Sequence, residues 1–121
     1  LFDISLKHNI SGFVCSNLTK TGESGGYSGK IVEDKSNALL SYVYRRVKKS
    51  SKKYVLIGSG GIFSAEDAYK KIKLGANLVQ LITGMIYNGP GLICEINYGI
   101  VKLLQRDGFR NVSEAIGKAN E

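Results

Sequence analysis

Residues able to hold a ligand cluster at three points of this sequence, each just after an apolar run. The stretch GSGGIFSAEDA, Gly58 to Ala68, sets Gly58, Gly60 and Gly61 between such a run and a helix that Ser64 can cap. A glycine pair lets backbone N–H groups approach a ligand closely, and a helix start favours negative charge, so the chemistry is that of holding a phosphate. A tight turn is the plainer reading of the same residues. The stretch is not the dinucleotide fingerprint, because Phe63 occupies the place of its last glycine, nor a Walker loop, because no Gly-Lys-Ser or Gly-Lys-Thr follows. Earlier, Ser16 and Asn17 close the burst GFVCSN. A carboxamide there offers both a donor and an acceptor to a planar ligand edge, or it simply closes a turn. The loop GGYSG that follows contributes Gly25, Gly26 and Gly29. The third point is ITGM, where Thr83 supplies a hydroxyl and Gly84 an unobstructed amide. Phosphate shared by two adjacent strand ends is a recurrent arrangement in barrels, so GSGG and ITGM together weigh more than either alone.

Three strands and three helices must position these groups. Residues 12–17, 54–59 and 77–83 read as strands, apolar throughout instead of alternating. A helix is expected over 35–49, with Leu39, Leu40, Val43 and Val47 as its apolar stripe. A second starts at Ala65, with Glu66 and Asp67 in its first turn, Lys70, Lys71 and Lys73 in its last, and Gly75 as its stop. The longest is expected in 89–108, burying Leu92, Ile93, Ile96, Ile100, Leu103 and Leu104. The opening LFDISLKHN looks like a helix under way, with Leu1, Ile4 and Leu6 on its apolar side. Strands alternating with helices make a parallel sheet, covered on both faces or closed into a barrel. Three such units fall far short of the roughly 250 residues of a (β/α)8 barrel. With Leu1 in place of an initiator Met, the expectation is a piece of something larger.

Composition narrows the classes. With 121 residues, 43% of them hydrophobic, the chain can bury one modest core. No apolar run approaches the roughly 20 residues of a membrane span. The net charge of +7 is concentrated in RRVKKSSKK, Arg45 to Lys53, where a helix should end, so the cations complement its C-terminus. The rival reading is a nucleic-acid patch, for which only Tyr42, Tyr44 and Tyr54 stand near as aromatics. Cys15 and Cys94 are expected as buried thiols, without metal or disulfide roles. His8, the single histidine, is given no role.

The segments GFVCSNLT, GGYSGK, VLIGSGGIFSAEDAYKKIKLGANLVQLITGMIYNGP and EAIGK together resemble the C-terminal part of a dihydroorotate dehydrogenase of the membrane-associated, quinone-using class. The resemblance runs along nearly all of the chain and is most specific from Val55 to Pro90. It implies the last three strand–helix units of a (β/α)8 TIM barrel, with residues 1–121 forming one partial FMN-binding domain and no second domain. It also implies oxidation of dihydroorotate to orotate in pyrimidine biosynthesis, by way of FMN and then a quinone, at the mitochondrial inner membrane. Residue by residue, it gives FMN contacts to Ser16, Gly29, Gly60, Gly61, Ile82 and Thr83, the last four around the phosphate, and orotate contacts to Asn17 and Leu18.

Two departures accompany the resemblance. Leu18 stands where the family usually has Thr, so a substrate-facing hydroxyl is lost, and Ile82 replaces an aromatic residue. The loop from Leu18 to Ser24 also looks shorter than usual. The family's catalytic base is a loop Ser and its flavin-pairing Lys lies on an earlier strand, both expected upstream of Leu1 with the quinone tunnel and the membrane attachment. No residue of this chain is therefore assigned as catalytic, no metal is expected, and the isolated 121 residues are expected to be inactive. Another flavin- or phosphate-binding barrel is the alternative. A basic nucleic-acid-binding module is more distant, since it leaves the strand-end glycines without a purpose, and nucleic acid is not expected as a partner.

Overall fold

A computed structural model describes residues 2–20 and 25–120. Three parallel strands form one sheet in the order β1 (Gly12–Cys15), β2 (Val55–Ser59), β3 (Leu78–Gln80). Gly12 pairs with Val55 and Cys15 with Gly58; on the other side of β2, Ile57 pairs with Leu78 and Ser59 with Gln80. Helix α1 (Phe2–Lys7) precedes the sheet. Helix α2 (Glu33–Val47), entered through a 3-10 turn at Lys30–Val32, crosses from β1 to β2. Helix α3 (Ala65–Lys73) crosses from β2 to β3, and α4 (Thr83–Asn88), α5 (Leu92–Arg106) and the single turn α6 (Val112–Ala115) follow.

Local chemistry sets the α3 boundaries. Ser64 Oγ accepts the Asp67 N–H at 3.2 Å, satisfying one orphan donor of the first turn. Gly75 ends the helix at φ +118. One side of the sheet lies under the helices. Cys15 and Leu56 pack there with Leu40, Val43, Val47 and Ala76. Tyr69 and Ile72 of α3 meet Leu103, Leu104 and Ala115, and Ile62 and Ala68 meet Leu92 and Ile96. Leu40 and Leu56 are completely enclosed, and each such side chain stabilises the fold by about 1.5–3 kcal/mol.

The opposite sheet face is open. Register places Val14, Ile57 and Leu78 in one row across the strands, with Val14 and Leu78 each 59% exposed. The strands are apolar on both sides, while in these residues the helices cover one side only.

Several sequence expectations need correction. The third strand was expected to reach Thr83 but ends at Gln80, because Thr83 opens α4, a helix the pattern did not show. Helix α1 buries Ser5, whose hydroxyl bonds the Phe2 carbonyl and the Tyr54 hydroxyl, whereas Ile4 and Leu6 are exposed; Leu1 lies outside the described residues. Leu39 and Ile93 also face outward, each at the margin of its stripe. Cys15 is buried as expected, but Cys94 is exposed, on the outer side of α5. Lys71, in the last turn of α3 with Lys70 and Lys73, is fully buried, which its place in the turn did not disclose.

Candidate functional site

The C-terminal ends of the three strands converge, and the expected site residues converge with them. Gly60 backs onto the end of β1: a Cβ at Gly60 would lie 3.0 Å from the Ser16 carbonyl oxygen and 3.3 Å from Asn17 Cα. Gly61 adopts φ +76 and presses on α2, where a Cβ would lie 2.6 Å from Glu33 Cβ. Gly29, at φ +85, approaches Thr83 so closely that a Cβ would sit 3.0 Å from its methyl carbon, and Ser28 Oγ lies 3.0 Å from Thr83 Oγ1. The glycine loop after β1 is thereby joined to the turn after β3. Between these pieces lies a shallow notch of about 10 Å³, the room of about one water, lined by residues that include Asn17, Gly60, Gly61, Ile82, Thr83 and Gly84.

The lining of the notch has the chemistry to face an anion seated over it. None of its lining residues is a carboxylate. Ile82 precedes α4 without a side-chain cap, so the leading N–H groups at Thr83 and Gly84 have no acceptor within the helix. The α3 start behaves differently from the expectation: Ser64 takes the Asp67 N–H, and Asp67 Oδ2 takes the Phe63 N–H at 2.9 Å. Side chains thus take one leading donor of that helix and the Phe63 N–H before it, and the turn after β3 offers further donors to a ligand. Leu18 is 63% exposed and is not part of the notch wall. Residues 21–24 of the loop expected to be short lie outside the described residues, while Thr19 and Tyr27 on either side form an antiparallel bridge.

Behind the glycines sits a charged layer that residue spacing did not suggest as part of the site. Lys30 Nζ bridges Glu33 at 2.8 Å and Asp67 at 2.7 Å, and Lys70 Nζ reaches Glu33 at 3.1 Å. Burial alone would raise the Glu33 carboxyl, but hydrogen bonds from Lys30 and Lys70 outweigh it and hold the group below its ordinary value. For Asp67 the same opposition of burial against Lys30 and the Phe63 N–H also ends in a lowered pKa. The two acids nearest the glycine turn are therefore ionised and already neutralised. Only the Lys30–Glu33 spacing of three, at the entry to a helix, hinted at this layer.

Deeper still, Lys71 Nζ donates to Ser36 Oγ and Asn37 Oδ1, both at 2.8 Å, and the Ser36 hydroxyl donates to the Ser59 carbonyl. Burial pushes the Lys71 ammonium down to about 8, against the pull of Glu33 and Asp67. The sequence did carry a trace of it, since Lys71 lies three positions from Ala68 and one from Ile72, both on the buried side of α3. A roomier pocket, about 460 Å³, lies at the other end of the strands, beside Val55 and Asn77. Ligands of parallel α/β folds bind at the carboxyl ends of strands, so the site is placed in the smaller notch.

A parallel strand–helix repeat with one sheet face left open is consistent with part of a TIM-barrel protein, the class to which the solved neighbours assign it. The chain belongs to the dihydroorotate dehydrogenase family, whose sequence profile matches residues 6–104. It is 42% identical over 122 residues to a dihydroorotate dehydrogenase (quinone) from Deinococcus radiodurans, covering 93% of this chain and 32% of that protein. It is also 42% identical over 125 residues to the mitochondrial dihydroorotate dehydrogenase (quinone) of Arabidopsis thaliana, covering 94% of this chain and 26% of the relative. The crystal structure of a ligand-free DHODH from Eimeria tenella superposes with a TM-score of 0.87 at 30% identity, covering 98% of this chain and 35% of that one. The chain thus spans about a third of the length of the first relative and about a quarter of that of the second.

Proposed function

We propose that this chain supplies part of the FMN and orotate site of an enzyme that oxidises dihydroorotate to orotate, in pyrimidine biosynthesis, with a quinone as electron acceptor. The observation that carries the reading is the convergence of Asn17, Gly60, Gly61, Ile82 and Thr83 on one carboxylate-free notch in a member of this family. The names of the quinone-dependent relatives support the choice of substrate and acceptor.

In this reading the FMN phosphate rests on the backbone of Gly60, Gly61, Ile82 and Thr83, with the Thr83 hydroxyl as a further donor. Ser16 and Gly29 border the flavin, and Asn17 presents its carboxamide to the amide edge of orotate, beside the Leu18 backbone. FMN, when bound, supplies the hydride acceptor. This chain's residues bind and orient, and none of them is assigned removal of a proton; we propose that the 121 residues alone do not turn over. The reading places the enzyme at the mitochondrial inner membrane, supported by the Arabidopsis relative, while the Deinococcus relative makes a bacterial membrane the competing outcome. No helix among the described residues is long and apolar enough to cross a membrane.

The test is to purify the intact protein and assay bound flavin and dihydroorotate oxidation with a quinone. Stoichiometric FMN and turnover are expected, with Asn17→Ala weakening orotate binding by about 2 kcal/mol, the cost of leaving a buried polar partner unsatisfied. A protein that purifies without flavin, and fails to take it up, would overturn the proposal. Flavin with turnover of some other substrate would leave a different flavin-binding barrel as the answer.

A further inference from the structure

Gly58 belongs to the glycine stretch but does not line the notch. A Cβ at Gly58 would lie 3.1 Å from Lys71 Cδ and 3.2 Å from the Ala76 methyl, so this glycine makes room for a lysine stem laid across β2. The lysine occupies a costly place. Lys71 is 0% exposed, in a layer with Leu40 and Leu56, where a methionine would pack without burying charge. Its compensation comes from the acceptors on α2, Ser36 Oγ and Asn37 Oδ1.

The direction of these bonds matters. An ammonium only donates, so Ser36 Oγ must accept from Lys71, and its own proton is left for another acceptor. That acceptor is the carbonyl of Ser59, one residue past the last β1–β2 pair and the first half of the Ser59–Gly60 peptide. Rotation of that peptide would re-aim the backbone of Gly60 and Gly61.

We propose that Lys71 is a positioning residue for the phosphate cradle: by polarising Ser36 toward the Ser59 carbonyl, it fixes the orientation of the Gly60–Gly61 turn. This inference rests on the FMN-phosphate reading given above. Lys71 touches neither flavin nor substrate; it acts through Ser36 and one peptide plane. The charged groups around it are Glu33, Asp67, Lys70 and the Cys15 thiol, and none displaces Ser36 as its hydrogen-bond partner.

The test compares FMN with riboflavin, which lacks the phosphate, on the intact protein. Affinities from flavin fluorescence quenching are measured for wild type, Lys71→Met, Ser36→Ala and the double variant, with the phosphorus-31 shift of bound FMN as a second readout. Lys71→Met and Ser36→Ala are each expected to weaken FMN about tenfold, to change riboflavin by less than about twofold, and to move the phosphorus resonance. The double variant should be no worse than either single one, because both remove the same link. Equal losses for both ligands would mean a general packing role and would overturn the proposal, as would unchanged FMN affinity. If Lys71→Met does not fold, Ser36→Ala decides by the same criteria. A wild-type protein with no preference for FMN over riboflavin would instead sink the phosphate reading itself.

Discussion

Gly61→Ala tests the geometry of the glycine turn most directly. Two costs add. A left-handed backbone charges an L-residue about 1–2 kcal/mol, and Gly61 sits at φ +76. The new methyl would also lie 2.6 Å from Glu33 Cβ and 2.8 Å from Glu33 Cα, well inside the usual carbon–carbon separation of about 3.5–4.0 Å. The obstacle includes helix backbone, so relief requires the first residue of α2 to move, and overpacking of this kind costs about 1–3 kcal/mol. The total is roughly 2–5 kcal/mol of lost stability. Gly108→Ala separates the terms, because Gly108 has φ +79 but nothing within 4 Å of its would-be Cβ. It should lose only the conformational part, about 1–2 kcal/mol. Urea denaturation of the intact protein measures both. Because Glu33 anchors Lys30 and Lys70, Gly61→Ala should also loosen the charged layer and weaken FMN binding. Equal losses for the two variants, or a Gly61→Ala protein within about 0.5 kcal/mol of wild type, would refute the close packing of the turn on α2.

Three further outcomes are expected. A thiol reagent should label Cys94 quickly in the native protein and Cys15 only on unfolding, since Cys94 is exposed while burial both covers the Cys15 thiol and raises its pKa; two fast equivalents would contradict this. Asp107 is held down to about 2 by hydrogen bonds from Arg106 and Tyr69. A folded pKa below the unfolded one gives stability that is present above about pH 4 and is lost as the pH falls through about 2. Melting temperatures of wild type and Asp107→Asn should therefore differ at pH 7 and converge near pH 2, and a gap that persists at pH 2 would count against the assignment. Leu18→Thr restores a hydroxyl beside the proposed orotate site and should tighten orotate binding about fivefold, or roughly 1 kcal/mol, by calorimetry on the intact protein; unchanged affinity would mean that only the Leu18 backbone meets the ligand.

What the sequence disclosed and what it hid follow from the range of the interactions involved. Strand order, helix stripes and the Ser64 cap are written in neighbours and in spacings of three and four, and Leu40, Val43, Val47, Leu103 and Leu104 are buried as their periodicity indicates. The strand-end residues stood out because Gly, Ser, Asn and Thr recur after three successive apolar runs, although each alone suits a turn as well. Thr83 misled for the same reason: in a run of apolar residues, a strand that continues and a strand that stops for a short helix look alike. Lys71 was read by its charge and by its place in the last turn of α3, although its partners Ser36 and Asn37 are more than thirty positions away. Gly58 stands in the same stretch as Gly60 and Gly61 without an assigned contact, and only three dimensions show that it makes room for the lysine.

The row of Val14, Ile57 and Leu78 has a practical consequence for anyone handling these 121 residues by themselves. It is a greasy stripe in water, flanked by β1 and β3, each of which pairs on one side only among the described residues. A stripe of side chains beside unpaired strand edges offers other molecules both hydrocarbon to cover and main chain to zip onto. Turbidity that grows with concentration and is suppressed by mild detergent would then report a colloidal property of this surface, while the helices behind it remain folded.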